Sequence, residues 1–352
     1  MKLIIQIPCY NEENTLPITV RDIPRTIKGI DTVEILVIDD GSTDRTFEVA
    51  RELGVDHILK FNKNKGLARS FSAGLDASIR FGADIIVNTD GDNQYRGEDI
   101  PKLVKPIIEG KADITVGNRQ VDGIKHFSFT KKTFQKVGSW VVRRLSETNI
   151  ADTPSGFRAY SRDAALRLNI VSPFSYTLET IIQAGKKHLK IVDVPVRTNK
   201  PLRKSRLFSS IPDYIKRSAV TIIRMYTMFQ PLRVFFYVGI SLFFVGSLGV
   251  LRFLYFYFTQ GGAGHIQSLV LSGVLIILGF MLLMIGLVAD IISFNRRLIE
   301  DTLYRVRKME LASMSRYDNK DHSKDQERKN NAATRESQVR PPKGISKVRN
   351  IP

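Results

Sequence analysis

DIIVNTDGDNQYR, residues 84–96, begins as a short apolar, β-branched run and ends on Asp90-Gly91-Asp92. Two carboxylates that close repel each other and cost desolvation energy unless something positive lies between them. Taken alone, the triplet reads as a solvated turn or as ligands for a divalent cation. The runs around it carry the decision. LIIQIP (3–8), EILVIDD (34–40), HILKF (57–61), ADITVG (112–117) and KIVDVPV (190–196) share its β-branched character. Helix-like stretches lie between the early ones: NTLPITVRDIPRTI, STDRTFEVARELG and GLARSFSAGLDASIRFG. Ser42 or Thr43-Asp44 can cap the second of these, and Gly54 stands where a helix-ending glycine belongs. The alternation predicts an α/β domain over residues 1–200, with a mostly parallel, doubly wound sheet and helices on both faces. Ligands of such sheets bind at the carboxyl ends of strands.

Composition narrows the partners. The 352 residues carry a net charge of +18, which suits nucleic acid, an anionic membrane or a phosphorylated substrate. Cys9 is the only cysteine, so an intrachain disulfide and a cysteine-based zinc site are excluded, and a reducing, cytoplasmic setting is expected. MKLIIQIPCYNEEN has too short an apolar stretch for a signal peptide. From Arg197 to Arg233 there are nine Lys/Arg and one Asp. Residues 201–233 therefore read as a basic juxtamembrane segment with an interfacial helix. Val234–Leu251 (18 residues) and Leu269–Ala289 (21 residues) carry no formal charge. About 20 apolar residues cross the ~30 Å hydrocarbon core as a helix. Two spans are expected, 234–258 and 268–294, since consecutive uncharged helices of this length are rare inside a globular domain. The connecting TQGGAGHIQ has no Lys or Arg while both outer flanks are basic, which places the first domain and the tail on the cytoplasmic side. Residues 301–352, with 13 basic and seven acidic residues, read as a disordered tail near anionic lipid. No aromatic–basic reading surface accompanies that tail, which sets nucleic acid aside as a partner.

Three expected strand ends are acidic: Glu12-Glu13, Asp39-Asp40 and Asp90-Gly91-Asp92. A nucleotide offers base N–H groups and ribose hydroxyls to some of these carboxylates. Its diphosphate needs a hard cation between, and Asp90 and Asp92, with the Gln94 amide, can supply oxygen ligands. Neither a G-x-x-x-x-G-K-[ST] loop nor a G-x-G-x-x-G turn is present to cradle phosphate instead.

PCYNEE (8–13), VIDDGSTD (37–44), NKGLARSFSAG (64–74), the triplet 90–92 with Gln94, and DTPSGFRAY (152–160) together resemble the inverting family-2 glycosyltransferases of the GT-A fold. The basic PLRKSRLF and the C-terminal hairpin are similar to the polyprenyl-phosphate branch, the dolichol-phosphate-mannose-synthase type. That resemblance, over residues 1–300, implies that Pro8, Tyr10, Glu12, Asp39 and Asp40 hold the base and ribose of a nucleotide-sugar donor. Asp90 and Asp92, helped by Gln94, would hold its diphosphate with Mg²⁺ or Mn²⁺. Arg119 would face a phosphate; a surface salt bridge is its other reading. Asp152 and Glu179 would join Asp90 and Asp92 as the acidic catalytic set, or else act as caps. Arg203, Lys204 and Arg206, with Lys200 behind, would meet a polyprenyl phosphate acceptor or simply anchor to membrane lipid. A lipid phosphate attacking the anomeric carbon in line would invert it.

Two departures from the resemblance leave the sugar, and the choice of UDP or GDP, open. Gly91 stands where alanine is frequent, and RTNKPLRKSRL lacks a glycine before its serine. A processive synthase is disfavoured, because the sole tryptophan is Trp140 and no Q-x-x-R-W exists. A non-catalytic nucleotide-sugar binder, or a transferase with another membrane-associated acceptor, remains the alternative. Oligomeric state is not set by the sequence.

Overall fold

β1 (Lys2–Cys9) is buried from Leu3 to its end, so both faces of the strand must be covered. In the computed structural model, which describes residues 1–119, 139–172, 176–200, 202, 211–261 and 266–338, the covering comes from helices on either side. Leu3, Ile5 and Ile7 join one core with Leu16 and Val20 of α1 (Leu16–Asp22) and with Ile100, Leu103 and Val104 of α4 (Ile100–Ile108). The alternate residues face α3 (Leu67–Arg80). There Gly74 lets the backbone approach so closely that a Cβ would lie 2.6 Å from Gln6 Oε1 and 2.9 Å from Ile38 Cδ1. Helix α2 (Thr46–Glu52) ends before Gly54, which takes φ +63°.

The other strands are β2 (Thr32–Asp39), β3 (His57–Lys60), β4 (Ile85–Asn88), β5 (Ile114–Asn118), β6 (Arg158–Ser161) and β7 (Ile191–Pro195). They form one sheet in the order β3-β2-β1-β4-β6-β5-β7. The expected parallel sheet is present, with one strand more than the six apolar runs. β6 lies antiparallel between β4 and β5. Its sequence, RAYS, begins with a fully buried arginine, which hides it from any apolar pattern. The order in which strands are added reverses across β1: β2 and β3 lie on one side and β4 on the other, with β2 and β4 both parallel to β1. That is the switch point where such sheets open a crevice. After β6 come α5 (Arg162–Arg167) and α6 (Tyr176–Lys186).

Two compact units are defined, Met1–Asp301 and Thr302–Pro352. Within the first, α7 (Ile211–Phe229) buries Thr221, Met225 and Phe229, spaced four apart. α8 (Pro231–Gln260) and the first part of α9 (Ile266–Gln338) form an apolar hairpin, each long and apolar enough to cross a membrane. The expected spans 234–258 and 268–294 fall inside them. Small residues form the seam of the hairpin: a Cβ on Gly239 would lie 2.9 Å from Gly279 O, and one on Gly246 2.8 Å from Ser272 O. The returning helix is tied back to the α/β domain. Ser293 Oγ donates to Met228 O at 3.0 Å, the Arg296 guanidinium lies 4.0 Å from the Phe229 ring, and Glu300 pairs with Lys187 at 2.9 Å. The tail expected to be disordered is instead helical as far as Gln338. No Gly or Pro interrupts residues 287–340, so nothing in the chemistry stops the helix before Pro341.

Candidate active site

The carboxyl ends of β2, β1 and β4 lie side by side, and the acidic residues follow from that register. Cys9 pairs with Asp39, and Gln6 with Asn88. Asp39 is buried; its Oδ1 accepts from Ser42 N at 2.9 Å, while Oδ2 is buried without a partner. An orphaned carboxylate oxygen costs folding free energy unless a ligand N–H or O–H meets it. Asp40 is used differently. Its two oxygens accept from Lys65 N (2.8 Å) and Gly66 N (2.9 Å), fixing the loop that starts α3.

Beyond β1, Tyr10 is exposed, and Asn11 takes φ +56°, with its amide oxygen accepting from Thr43 N at 2.8 Å. Glu12 is buried, its N donating to Thr46 Oγ1 (2.8 Å) and its Oε2 accepting from Thr15 Oγ1 (2.7 Å). The Asp90–Asp92 turn lies directly against this strand end. A Cβ on Gly91 would stand 2.9 Å from Cys9 Sγ, 3.4 Å from Glu12 Cγ and 3.6 Å from Pro8 O. Thr19 Oγ1 donates to Gly91 O at 3.1 Å. Burial, with Glu12 and Asp39 nearby, pushes the Cys9 thiol well up, so it stays protonated and inert.

Asp92 Oδ1 accepts from Gln94 N at 3.2 Å, and Asn93 takes φ +55°. The same turn is stitched to the chain leaving β7: Asn199 N donates to Gln94 O (2.9 Å) and Asn199 Nδ2 to Asn93 O (3.1 Å). On its other side stands the 152–157 loop. A Cβ on Gly156 would meet the Tyr176 hydroxyl at 2.9 Å and Asp90 Oδ1 at 3.1 Å. Gly156 N donates to the buried Tyr95 hydroxyl at 3.1 Å, and Asn88 Nδ2 donates to Gly156 O at 2.9 Å. Arg158 locks the loop from below, donating to the carbonyls of Thr153, Ser155 and Thr177. Asn88, Tyr95, Gly156, Arg158 and Tyr176 form a supporting shell that the sequence reading did not single out. An asparagine ending a buried run was its one visible signal.

Arg119 and Asp152 are brought together. The carboxylate accepts from Arg119 Nε (2.7 Å), Nη2 (2.8 Å) and N (3.1 Å), and both side chains are buried. Burial opposes the guanidinium charge, but Tyr95, Asp152 and Asp90 around it raise its pKa further. The pair is a buried bidentate bridge, where a surface one was the alternative. Glu179 is spent elsewhere, accepting from Val171 N and Ser172 N, both at 2.9 Å. Burial pushes its carboxyl up, against the pull of those N–H groups. Arg203, Lys204 and Arg206 lie outside the described residues; Lys200 is exposed.

Among the described residues no three His, Cys, Asp or Glu side chains cluster as a metal site. Asp90 and Asp92 still fit one group. Two half-exposed carboxylates offer only oxygen and leave the remaining positions to phosphate and water, which is how Mg²⁺ is usually held.

Residues 4–168 match Glycosyl transferase family 2, and residues 230–294 match the GtrB C-terminal hairpin. Among relatives, the UDP-N-acetylglucosamine–dolichyl-phosphate N-acetylglucosaminyltransferase of Methanococcus voltae is 29% identical, over 54% of this chain and 83% of that protein. The polyprenol monophosphomannose synthase of Mycolicibacterium smegmatis is 27% identical, over 59% and 82%. The glucosyl-3-phosphoglycerate synthase of Mycobacterium tuberculosis, crystallised with Mn²⁺, UDP-glucose and phosphoglyceric acid, shares the fold. Its TM-score is 0.51 at 18% identity, over 64% of this chain and 78% of that one. The chain thus carries a Glycosyl transferase family 2 domain over residues 4–168, followed by a GtrB-type C-terminal hairpin over residues 230–294.

Proposed function

We propose that the protein transfers a hexose from a UDP- or GDP-linked sugar to a polyprenyl phosphate, inverting the anomeric carbon and releasing the nucleoside diphosphate. The observation that carries this reading is the placement of the acidic crevice. Asp39, Asp90 and Asp92 gather at the β2/β1/β4 switch point, and the same turn is bonded through Asn199 to the chain that leads to the hairpin. The buried, unpartnered Asp39 Oδ2 would accept from a base N–H, and Tyr10, exposed one residue past the Cys9 that pairs with Asp39, would give the base a face. Asp90 and Asp92 would hold Mg²⁺ or Mn²⁺, with Gln94 helping; bound there, the cation neutralises charge on the diphosphate.

The commitments of the other carboxylates favour a phosphate nucleophile. Asp152 holds Arg119 and Glu179 holds a loop, so neither stands poised as a base. A phosphate monoester needs none: with a second pKa near ~6 it is mostly dianionic at neutral pH. Its oxygen forms the new bond to the anomeric carbon as the bond to the diphosphate breaks. What it needs is positive charge, and the nine Lys/Arg that precede the first apolar span in the sequence, from Arg197 to Arg233, would supply it. The hairpin spans the membrane twice, with the α/β domain and the tail on the cytoplasmic side, as the basic outer flanks require.

The test is transfer of label from UDP- and GDP-sugars to polyprenyl phosphate by detergent-purified protein, with Mg²⁺, Mn²⁺ or EDTA. Label should enter the lipid phase only with metal, and Asp92→Asn should abolish it while the protein melts as before. Measurable nucleotide binding with no transfer from any donor would favour the non-catalytic alternative.

A further inference from the structure

Residues 139–146 are helical and held at both ends. At the start, Ser139 Oγ lies 3.1 Å from Thr153 Oγ1, beside the Asp152 that grips Arg119. At the far end a Cβ on Gly185 of α6 would overlap Ser146 O, and Glu147 pairs with Lys186 at 2.6 Å. Glu147 also lies in the field of Arg233, in the first turn of α8. The segment therefore runs from the rim of the crevice to the beginning of the first apolar span. At 1.5 Å per helical residue, Trp140 lies about 9 Å along the helix axis from Ser146, at that far end.

Ser139, Val142 and Ser146 face inward and are buried, while Trp140 and Arg144 are exposed at i and i+4, on one face. Trp140 is 60% exposed. An exposed indole beside an arginine is poorly suited to bulk water, and is the pairing that collects where hydrocarbon meets headgroups. The charge agrees, since Glu147 is neutralised by Lys186 and Arg144 is left facing outward. The outer side of α7 has the same character, with Val220 and Ile223 exposed among Lys216, Arg217 and Arg224.

We propose that the Trp140–Arg144 face is a second bilayer contact, seated at the headgroup level of an anionic membrane beside the hairpin. It would hold the Asp152 loop at the height of lipid phosphates, and in that respect rests on the polyprenyl-phosphate reading. Trp140 is the only tryptophan, so the fluorescence of the unaltered chain reports this one position. The full chain is placed in nanodiscs of phosphatidylcholine and phosphatidylglycerol, with or without bromine on the acyl carbons nearest the headgroups. Brominated lipid should remove more than half of the emission, and aqueous acrylamide should quench it weakly. Emission untouched by bromine and open to acrylamide refutes the contact. Emission shielded from both also refutes it, because protein, such as a second copy, then covers the face. Sugar transfer is measured in the same discs. Active discs with unquenched Trp140 overturn this inference alone, whereas quenched but inactive discs overturn only the enzymatic reading.

Discussion

Replacing Asp152 by asparagine separates a structural carboxylate from a catalytic one. Asp152 takes three hydrogen bonds from Arg119, and the two side chains are 1% and 9% exposed. An amide has one carbonyl oxygen, so one of the two guanidinium bonds is lost, and an NH₂ group then faces the cation. A hydrogen bond to a charged group contributes about 1.5–3 kcal/mol, and leaving a buried charge unpaired costs about 3–5 kcal/mol. Asp90 acts on the same guanidinium and offsets part of this. A loss of about 3 kcal/mol is therefore expected, the lower end of the range for a broken buried pair. In a domain of this size, 1 kcal/mol moves the melting temperature by about 2–4 °C, so the variant should melt roughly 6–12 °C lower. Thermal melting of the detergent-purified chain reads this directly, with transfer assayed well below the melt. Arg119→Met should destabilise similarly, and the double variant should lose less than the sum, because no lone charge remains. If Asp152→Asn melts with the native protein yet loses transfer more than a hundredfold, the carboxylate works on substrate and the bridge is incidental.

Three further outcomes follow from other contacts. Gly91→Ala puts a Cβ 2.9 Å from Cys9 Sγ, so it should weaken transfer, and Cys9→Ala should restore it by removing the sulfur; a full-activity single variant would show that the turn has slack. Asp99 is buried, and although burial pushes its carboxyl up, the bonds from Lys102 and Arg197 outweigh this and hold it below the ordinary aspartate value. Its stabilisation is present above that value and lost as pH falls through the lowered pKa. Melting temperature should thus drop on acidification below about pH 4, and less steeply in Asp99→Asn. In the hairpin, Gly279→Leu should lower the melting temperature by forcing apart the Gly239–Gly279 approach. Gly273→Leu, where a Cβ meets nothing within 4 Å, should leave it unchanged.

What the sequence revealed and what it hid divide along a physical line. Strands buried on both faces announce themselves as apolar runs, so β1, β2, β4 and β5 are legible, and the carboxylates placed just past them mark the crevice edge. β6 is not legible, because its first residue is a charged side chain whose partners are the carbonyls of Thr153, Ser155 and Thr177. A carbonyl is present at every position and leaves no trace in a sequence. The same blindness covers Asp152 and Glu179. Each is a conspicuous acid in the chain, but its use depends on which N–H groups the fold delivers: Arg119 from the end of β5, or Val171 and Ser172 from a preceding loop. Small residues behave alike. The glycines of the hairpin suggest a close approach but cannot name the partner, and the fold spends Gly239, Gly246 and Gly279 inside the hairpin. Acidity at a strand end therefore informs only where the topology exposes it. Asp39 keeps one buried oxygen unspent, while Asp40, one residue on, has both oxygens bonded to a loop. That difference makes Asp39 the donor-side position where substitution should cost nucleotide binding before it costs the fold.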